Sequence, residues 1–149
     1  PYTSSAASDV YKRQDLNNAL KISASGMKAQ GTRLRVISEN IANQDSVGRS
    51  QGADPYRRKT IVFKDVLDRK LGVDMVQVSK IGRDSSDFIV AYEPYHPLAD
   101  DKGYVRRPNV NGLIEMMDMK EAQRSYEANL SVLEASKAMI QRTIELLRS

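Results

Sequence analysis

DLNNALKISASGMKAQGTRLRVISENIANQ, residues 15–44, is the stretch whose reading decides the fold. Steps of four and three from Leu16 land on Leu20, Ser23, Met27, Gln30, Leu34, Ile37 and Ile41, and six of these eight positions are apolar. A repeat averaging about 3.5 residues keeps one seam of a long helix facing a partner, as in coiled coils and bundles rather than in a helix lying on a sheet. Asp15 suits the start of that helix, because its carboxylate can cap free amides and complement the dipole. Gly26 and Gly31 inside the pattern each cost up to about 1 kcal/mol relative to alanine. With Ala19, Ala24 and Ala29 they make the helix slim enough for close neighbours. At its end, Asn40 and Asn43 crowd around Ile41.

Working outward, residues 1–14 (PYTSSAASDVYKRQ) hold no sustained period and read as a leader, non-native or disordered, that stands outside the fold. Residues 45–55 form a loop rich in Gly, Ser and Asp that ends at Pro55. Residues 56–111 change character. TIVF (60–63), VDMVQVSKI (73–81) and DFIVAY (87–92) are short β-branched or aromatic runs between turn residues, and they read as strands. A further strand is expected at Tyr104 and Val105, after the turn formed by Asp100, Asp101, Lys102 and Gly103. So small a β-rich insert is barely able to bury a core of its own. Residues 112–149 return to helix, with a seam at Met119, Ala122, Tyr126, Leu130, Leu133, Lys137, Ile140, Ile144 and Leu147. A helix of roughly 36 residues would be about 54 Å long, more than the insert can cover. The expected fold is therefore mainly α with a small β-rich insert, the long N- and C-terminal helices pairing as a coiled-coil or bundle layer around the insert's base.

Several chemistries are excluded or weakened by composition. There is no cysteine, so disulfides, thiolate metal sites and thiol nucleophiles are absent. The single histidine, His96, leaves neither a histidine metal set nor a Ser/His/Asp triad to assemble. Asp100 and Asp101, imagined as a hydrolytic dyad, read instead as turn formers. No cofactor is expected, and the glycines are scattered rather than opening a helix after a strand. No run reaches the roughly 20 apolar residues of a membrane span, and no compact apolar block follows a basic start, as a cleavable leader would require. The balance of 23 Lys and Arg against 19 Asp and Glu gives a net charge of +4, which permits an acidic partner without demanding one. Arg57, Arg58 and Lys59 beside Tyr56, with Arg106 and Arg107, could contact phosphates, which makes a basic coiled-coil nucleic-acid-binding protein the alternative of a different class. The plainer reading is that they flank strands and pair with acids.

Three segments carry a resemblance: LRVISENIANQDSVG (34–48), YEPYHPLADDKGYVRRPNV (92–110) and RSYEANLSVLEASKAMI (124–140). Together they resemble the bacterial flagellar rod and hook protein family, and in particular its proximal rod branch; another rod or hook paralogue is the alternative within that class. Gln44 and Ser46-Val47-Gly48 depart from the family's usual loop. The resemblance implies a structural protein without catalysis that is exported through the flagellar type III apparatus and polymerises into the proximal rod of the basal body, a periplasmic structure. Its terminal helices would surround the export channel while the rod transmits torque. Expected partners are further copies, other rod proteins, and the adaptor and export-gate proteins at the rod base, with no nucleic acid and no membrane span. The assembly interface would fall on Leu20, Met27, Leu34, Ile37, Asn40, Ile41 and Asn43 of the first helix. On the second it would fall on Tyr126, Asn129, Leu130, Leu133, Ile140, Ile144 and Leu147. Asn40 and Asn43 would serve as hydrogen-bonding joints between helices of successive subunits, fixing register as a buried Asn does in a coiled coil.

Overall fold

The structure, a computed structural model, describes residues 3–149. Helix α1 (Thr3–Ala42) is followed by strands β1 (Lys59–Asp68), β2 (Val73–Arg83), β3 (Ile89–Tyr92) and β4 (Tyr104–Arg107), then by helix α2 (Gly112–Arg148). The expected architecture of two terminal helices and a central β insert is present. The insert consists of two separate ribbons, β1 with β2 and β3 with β4. The helix also begins at Thr3 rather than at Asp15. No glycine or proline interrupts Thr3–Gln14, so once a helix runs through Asp15 nothing in the backbone chemistry stops it propagating backward. From Ala6 to Asp15 every side chain is exposed, which is why no apolar period announces that part.

Each helix junction is closed by a side-chain amide. Asn43 Nδ2 donates to the Glu39 carbonyl (2.8 Å) at the end of α1. Asn111 Oδ1 accepts from the amides of Leu113 (3.1 Å) and Ile114 (3.4 Å) at the start of α2, an N-cap that satisfies otherwise orphaned donors. The β1–β2 turn is organised by Asp68, whose carbonyl accepts from Gly72 N (2.7 Å) while its Oδ1 accepts from Lys70 N (2.9 Å). Gly72 takes φ +66°, the left-handed region where a side chain would strain the backbone.

The chain divides into two compact units, each drawing on both helices and part of the insert. The first combines α1 up to Gly31, the hairpin tip Phe63–Val78 and Gln123–Ser149. What it buries most deeply is small: Ser23, Ala29 and Ser136. Two-helix contact there is therefore close but thin. Gly26 lies against Asn129, such that a Cβ added at Gly26 would sit 2.8 Å from Asn129 Nδ2.

The second unit comprises Thr32–Val62 and Ser79–Ala122. Its core contains Val36, Ile37, Val105, Val110 and Ala122. β3 and β4 are antiparallel with Ala91 opposite Val105 and Tyr92 opposite Tyr104. The face carrying Val105 turns inward, and Tyr92 and Tyr104 stack edge to face on the outer side, 5.3 Å between ring centroids.

Candidate functional site: the helix seams and a buried polar junction

The residues of the helix seams and of the junction between them divide into three groups. Leu20, Met27, Leu34 and Ile41 of α1, and Tyr126, Asn129, Leu130, Leu133 and Ile140 of α2, are half-buried on the helices, while Ile37 is fully buried. Ile144 and Leu147 are exposed instead of lying in the seam, and so is Lys137. The α2 seam follows strict heptads, Glu115, Ala122, Asn129, Ser136 and Thr143, interleaved with Met119, Tyr126, Leu133 and Ile140. Tracing apolar residues through Leu130 instead inserts an extra step of four and rotates the expected stripe off the packed one. Small polar residues on the true seam hid it, because a close two-helix contact selects for size rather than for apolarity.

Asn40 and Asn43 form the second group, and their bonds are made within the chain. Asn40 is 1% exposed. Its Nδ2 donates to the Lys59 carbonyl (2.9 Å) and to Glu115 Oε2 (3.1 Å). Its Oδ1 accepts from Lys59 N (2.9 Å) and from the Tyr56 hydroxyl (2.9 Å). Two donors and two acceptor sites are the full capacity of an amide. No capacity remains for a joint to another subunit, so Asn40 clamps the entry of β1 to the end of α1, much as a neighbouring strand would. Asn43 is partly engaged, its Nδ2 donating to the Glu39 carbonyl and its Oδ1 accepting from the Ser46 hydroxyl (3.0 Å).

The third group escaped the sequence reading. Glu115, on the first turn of α2, is 0% exposed. Its Oε1 accepts from Arg58 Nε, and Arg58 also reaches Asp84 (3.5 Å) and Asp118 (3.7 Å). Burial works against the charge on Arg58, but the hydrogen bond and charge of Glu115, with Asp84 and Asp118, outweigh it and hold the guanidinium pKa above its ordinary value. Arg33 pairs with Glu121 (3.3 Å) and Asp118 (3.8 Å) beside it. A buried carboxylate needs such partners, since an unpaired one costs several kcal/mol. The signal available in the sequence was Glu115 itself, an acid on the apolar-rich run LIEMM.

The basic clusters are thus occupied. Arg57 donates to the carbonyls of Asp84 (2.8 Å) and Ser86 (2.9 Å) and lies 4.2 Å from the Phe88 ring centroid. Lys59 pairs with Glu39. Arg106 pairs with Asp54 (3.1 Å), and Arg107 with Glu93 (2.7 Å) and Asp45 (3.1 Å). Arg57 apart, these are the acid pairs of the plainer reading, and together the contacts remove the support for a nucleic-acid surface. Asp100 is a turn former: its Oδ1 accepts from Lys102 N (2.9 Å) and Tyr104 N (2.8 Å), with Gly103 at φ +83°. His96 Nδ1 accepts from Leu98 N (3.1 Å) within the same loop.

Paired terminal helices with a small β insert tied to their junction are the build of an assembly subunit. Two family models match the corresponding parts of the chain: "Flagella basal body rod protein" at residues 20–48 and "Flagellar basal body rod FlgEFG protein C-terminal" at residues 101–146. The chain is 52% identical over 134 residues to the flagellar basal-body rod protein FlgC of Agrobacterium fabrum, covering 90% of this chain and 96% of that one. It is 42% identical to FlgC of Aquifex aeolicus (88% and 96% covered) and 38% identical to FlgC of Bacillus subtilis (87% and 96%). The chain belongs to the FlgC family of flagellar basal-body rod proteins. It is a structural subunit of the flagellar basal body rather than an enzyme, and it assembles with other rod components.

Proposed function

We propose that this chain polymerises into the proximal part of the rod, with its helices in the layer around the export channel and its copies carrying torque to the elements beyond. The observation that carries this reading is the apolar surface that α2 leaves uncovered: Met117, Val132, Met139 and Leu146 are each about half exposed or more. Such a run on one helix is more than scattered surface apolarity, and it fits burial against neighbouring subunits. Export through the flagellar type III apparatus to a periplasmic position, and contacts with adaptor and export-gate proteins at the rod base, complete the proposal. No helix among the described residues is long and apolar enough to cross a membrane.

The test is complementation of a flagellated bacterium that lacks its own FlgC. Met139→Asp places a charge on an exposed position, so the purified chain should keep its helical circular dichroism and its unfolding midpoint. Swimming and basal-body rods should be lost, because the same position would be buried after assembly. Leu133→Asp and Ile41→Asp strike half-buried seam positions and should lose both fold and motility. A Met139→Asp strain that swims normally would sink the proposal.

A further inference from the structure

Asn111 precedes Gly112, and this is the only Asn-Gly pair in the chain. Glycine carries no side chain to shield its backbone nitrogen, which can therefore reach Cγ of the preceding asparagine and close a five-membered ring. The position is open. Asn111 is exposed, and the N–H of Gly112 belongs to the first turn of α2, where amides have no intrahelical acceptor. Asn40, Asn43, Asn109 and Asn129 are followed instead by Ile41, Gln44, Val110 and Leu130, and each has its Nδ2 held by a hydrogen bond. Among the described residues the Asn111 side chain is bonded only through Oδ1, so its Nδ2 can leave without breaking a contact.

Oδ1 is also the atom on which negative charge grows as Gly112 N attacks Cγ. The amides of Leu113 (3.1 Å) and Ile114 (3.4 Å) already point at it. Two backbone donors at the positive end of a 37-residue helix stabilise a developing oxyanion. The geometry that caps α2 thus polarises the carbonyl that ring closure needs.

We propose that Asn111-Gly112 is a self-modifying site, at which the cap of α2 is converted to aspartate or isoaspartate. Gly112 N gives its proton to solvent and bonds to Cγ, and Nδ2 departs as ammonia, leaving a succinimide. Water then opens either carbonyl of the ring, so water enters and ammonia leaves with no oxidant or reductant. Opening to aspartate keeps a capping oxygen and adds a charge favoured at a helix N-terminus. Opening to isoaspartate routes the main chain through Cγ and lengthens it by a methylene, which displaces the Asn111 carbonyl that accepts from Glu115 N (3.0 Å). One reaction therefore has two ends, a first turn kept or a first turn loosened, beside the buried Glu115.

The test incubates the purified full chain at neutral to mildly alkaline pH and follows deamidation by peptide mass mapping with an isoaspartate assay. Asn111 should react several-fold faster than any other asparagine, and at least as fast in the folded chain as in urea. Leu113→Pro removes one of the two donors at an exposed position in the first turn, where proline is tolerated, and should slow the reaction several-fold with helical circular dichroism kept. Gly112→Ala, which displaces only the end of the Gln44 side chain, should slow it as well. Separated by ion exchange, the isoaspartate form should melt below the unmodified chain and the aspartate form should not. A folded chain in which Asn111 stays intact, or reacts more slowly than in urea, overturns the proposal, as does a rate unchanged in both variants.

Discussion

Asn40 holds three chain segments with one side chain, since its amide meets both the N–H and the carbonyl of Lys59, the hydroxyl of Tyr56 and the carboxylate of Glu115. Truncation to alanine would strand several buried polar groups at once, and each such group costs about 1–3 kcal/mol. Asn40→Ala should therefore lower unfolding stability by roughly 2–4 kcal/mol, read as a shift in urea midpoint. Asn40→Asp should do at least as much harm, because it sets a second carboxylate against Glu115. Beside this junction Glu39 has its pKa lowered, first by the hydrogen bond from Lys59. Asp84 is lowered chiefly by the backbone hydrogen bond from Ser86. A folded-state pKa below the unfolded value means stability that is complete above the ordinary carboxylate range and is lost as pH falls through the folded value. Unfolding midpoints should decline on acidification, and Glu39→Gln with Asp84→Asn should flatten that acid limb. Both groups are solvent-screened, so the effect should be small and should shrink further in high salt.

Between helices, contact depends on how little the side chains project. Gly26→Ala would gain up to about 1 kcal/mol of helix propensity, but its Cβ would meet Asn129 Nδ2 at 2.8 Å. Asn129 is itself held by a hydrogen bond to the Ser125 carbonyl (3.0 Å), so it cannot swing away without losing that bond. Gly26→Ala alone should be neutral or destabilising in a thermal melt, while Gly26→Ala with Asn129→Ala should release the propensity gain; a single variant more stable than the double would show the contact to be slack. The same geometry explains what could be read beforehand. The apolar seam of α1 was legible because packing there selects for apolar residues at a fixed period, and the runs of β1 and β2 because β-branched residues favour strands. The α2 seam beyond Leu133 was not, since Ser136 and Thr143 fill it by being small. Glu115 was only hinted at, as an acid in an apolar-rich run, because its partner Arg58 stands 57 residues away and nothing local links the two. The start of α1 at Thr3 was missed because an exposed helix has no apolar face to display.

At the scale of the whole molecule, two of the three largest fully buried side chains among the described residues are polar. The largest fully buried side chains are Glu115, Asn40 and Pro108, while Val132, Met139 and Leu146 stand in solvent. An isolated subunit inverts, in part, the usual arrangement of apolar inside and polar outside. Stability of such a chain should rise with concentration, because association covers the exposed faces and binds only the folded form. Thermal midpoints measured over a hundredfold range of concentration should climb for the wild type and stay flat for Met139→Asp. The buried junction also sets an order of events in time. Helix α1 and helix α2 need only neighbours in sequence and can form within microseconds, whereas the bond from Asn40 to Glu115 closes a separation of 75 residues. Loop closure over that span must precede any reward from the contact, which places it late in folding. A newly made chain is therefore helical well before it is locked, and the interval between those two moments is set by how soon residue 115 returns to residue 40.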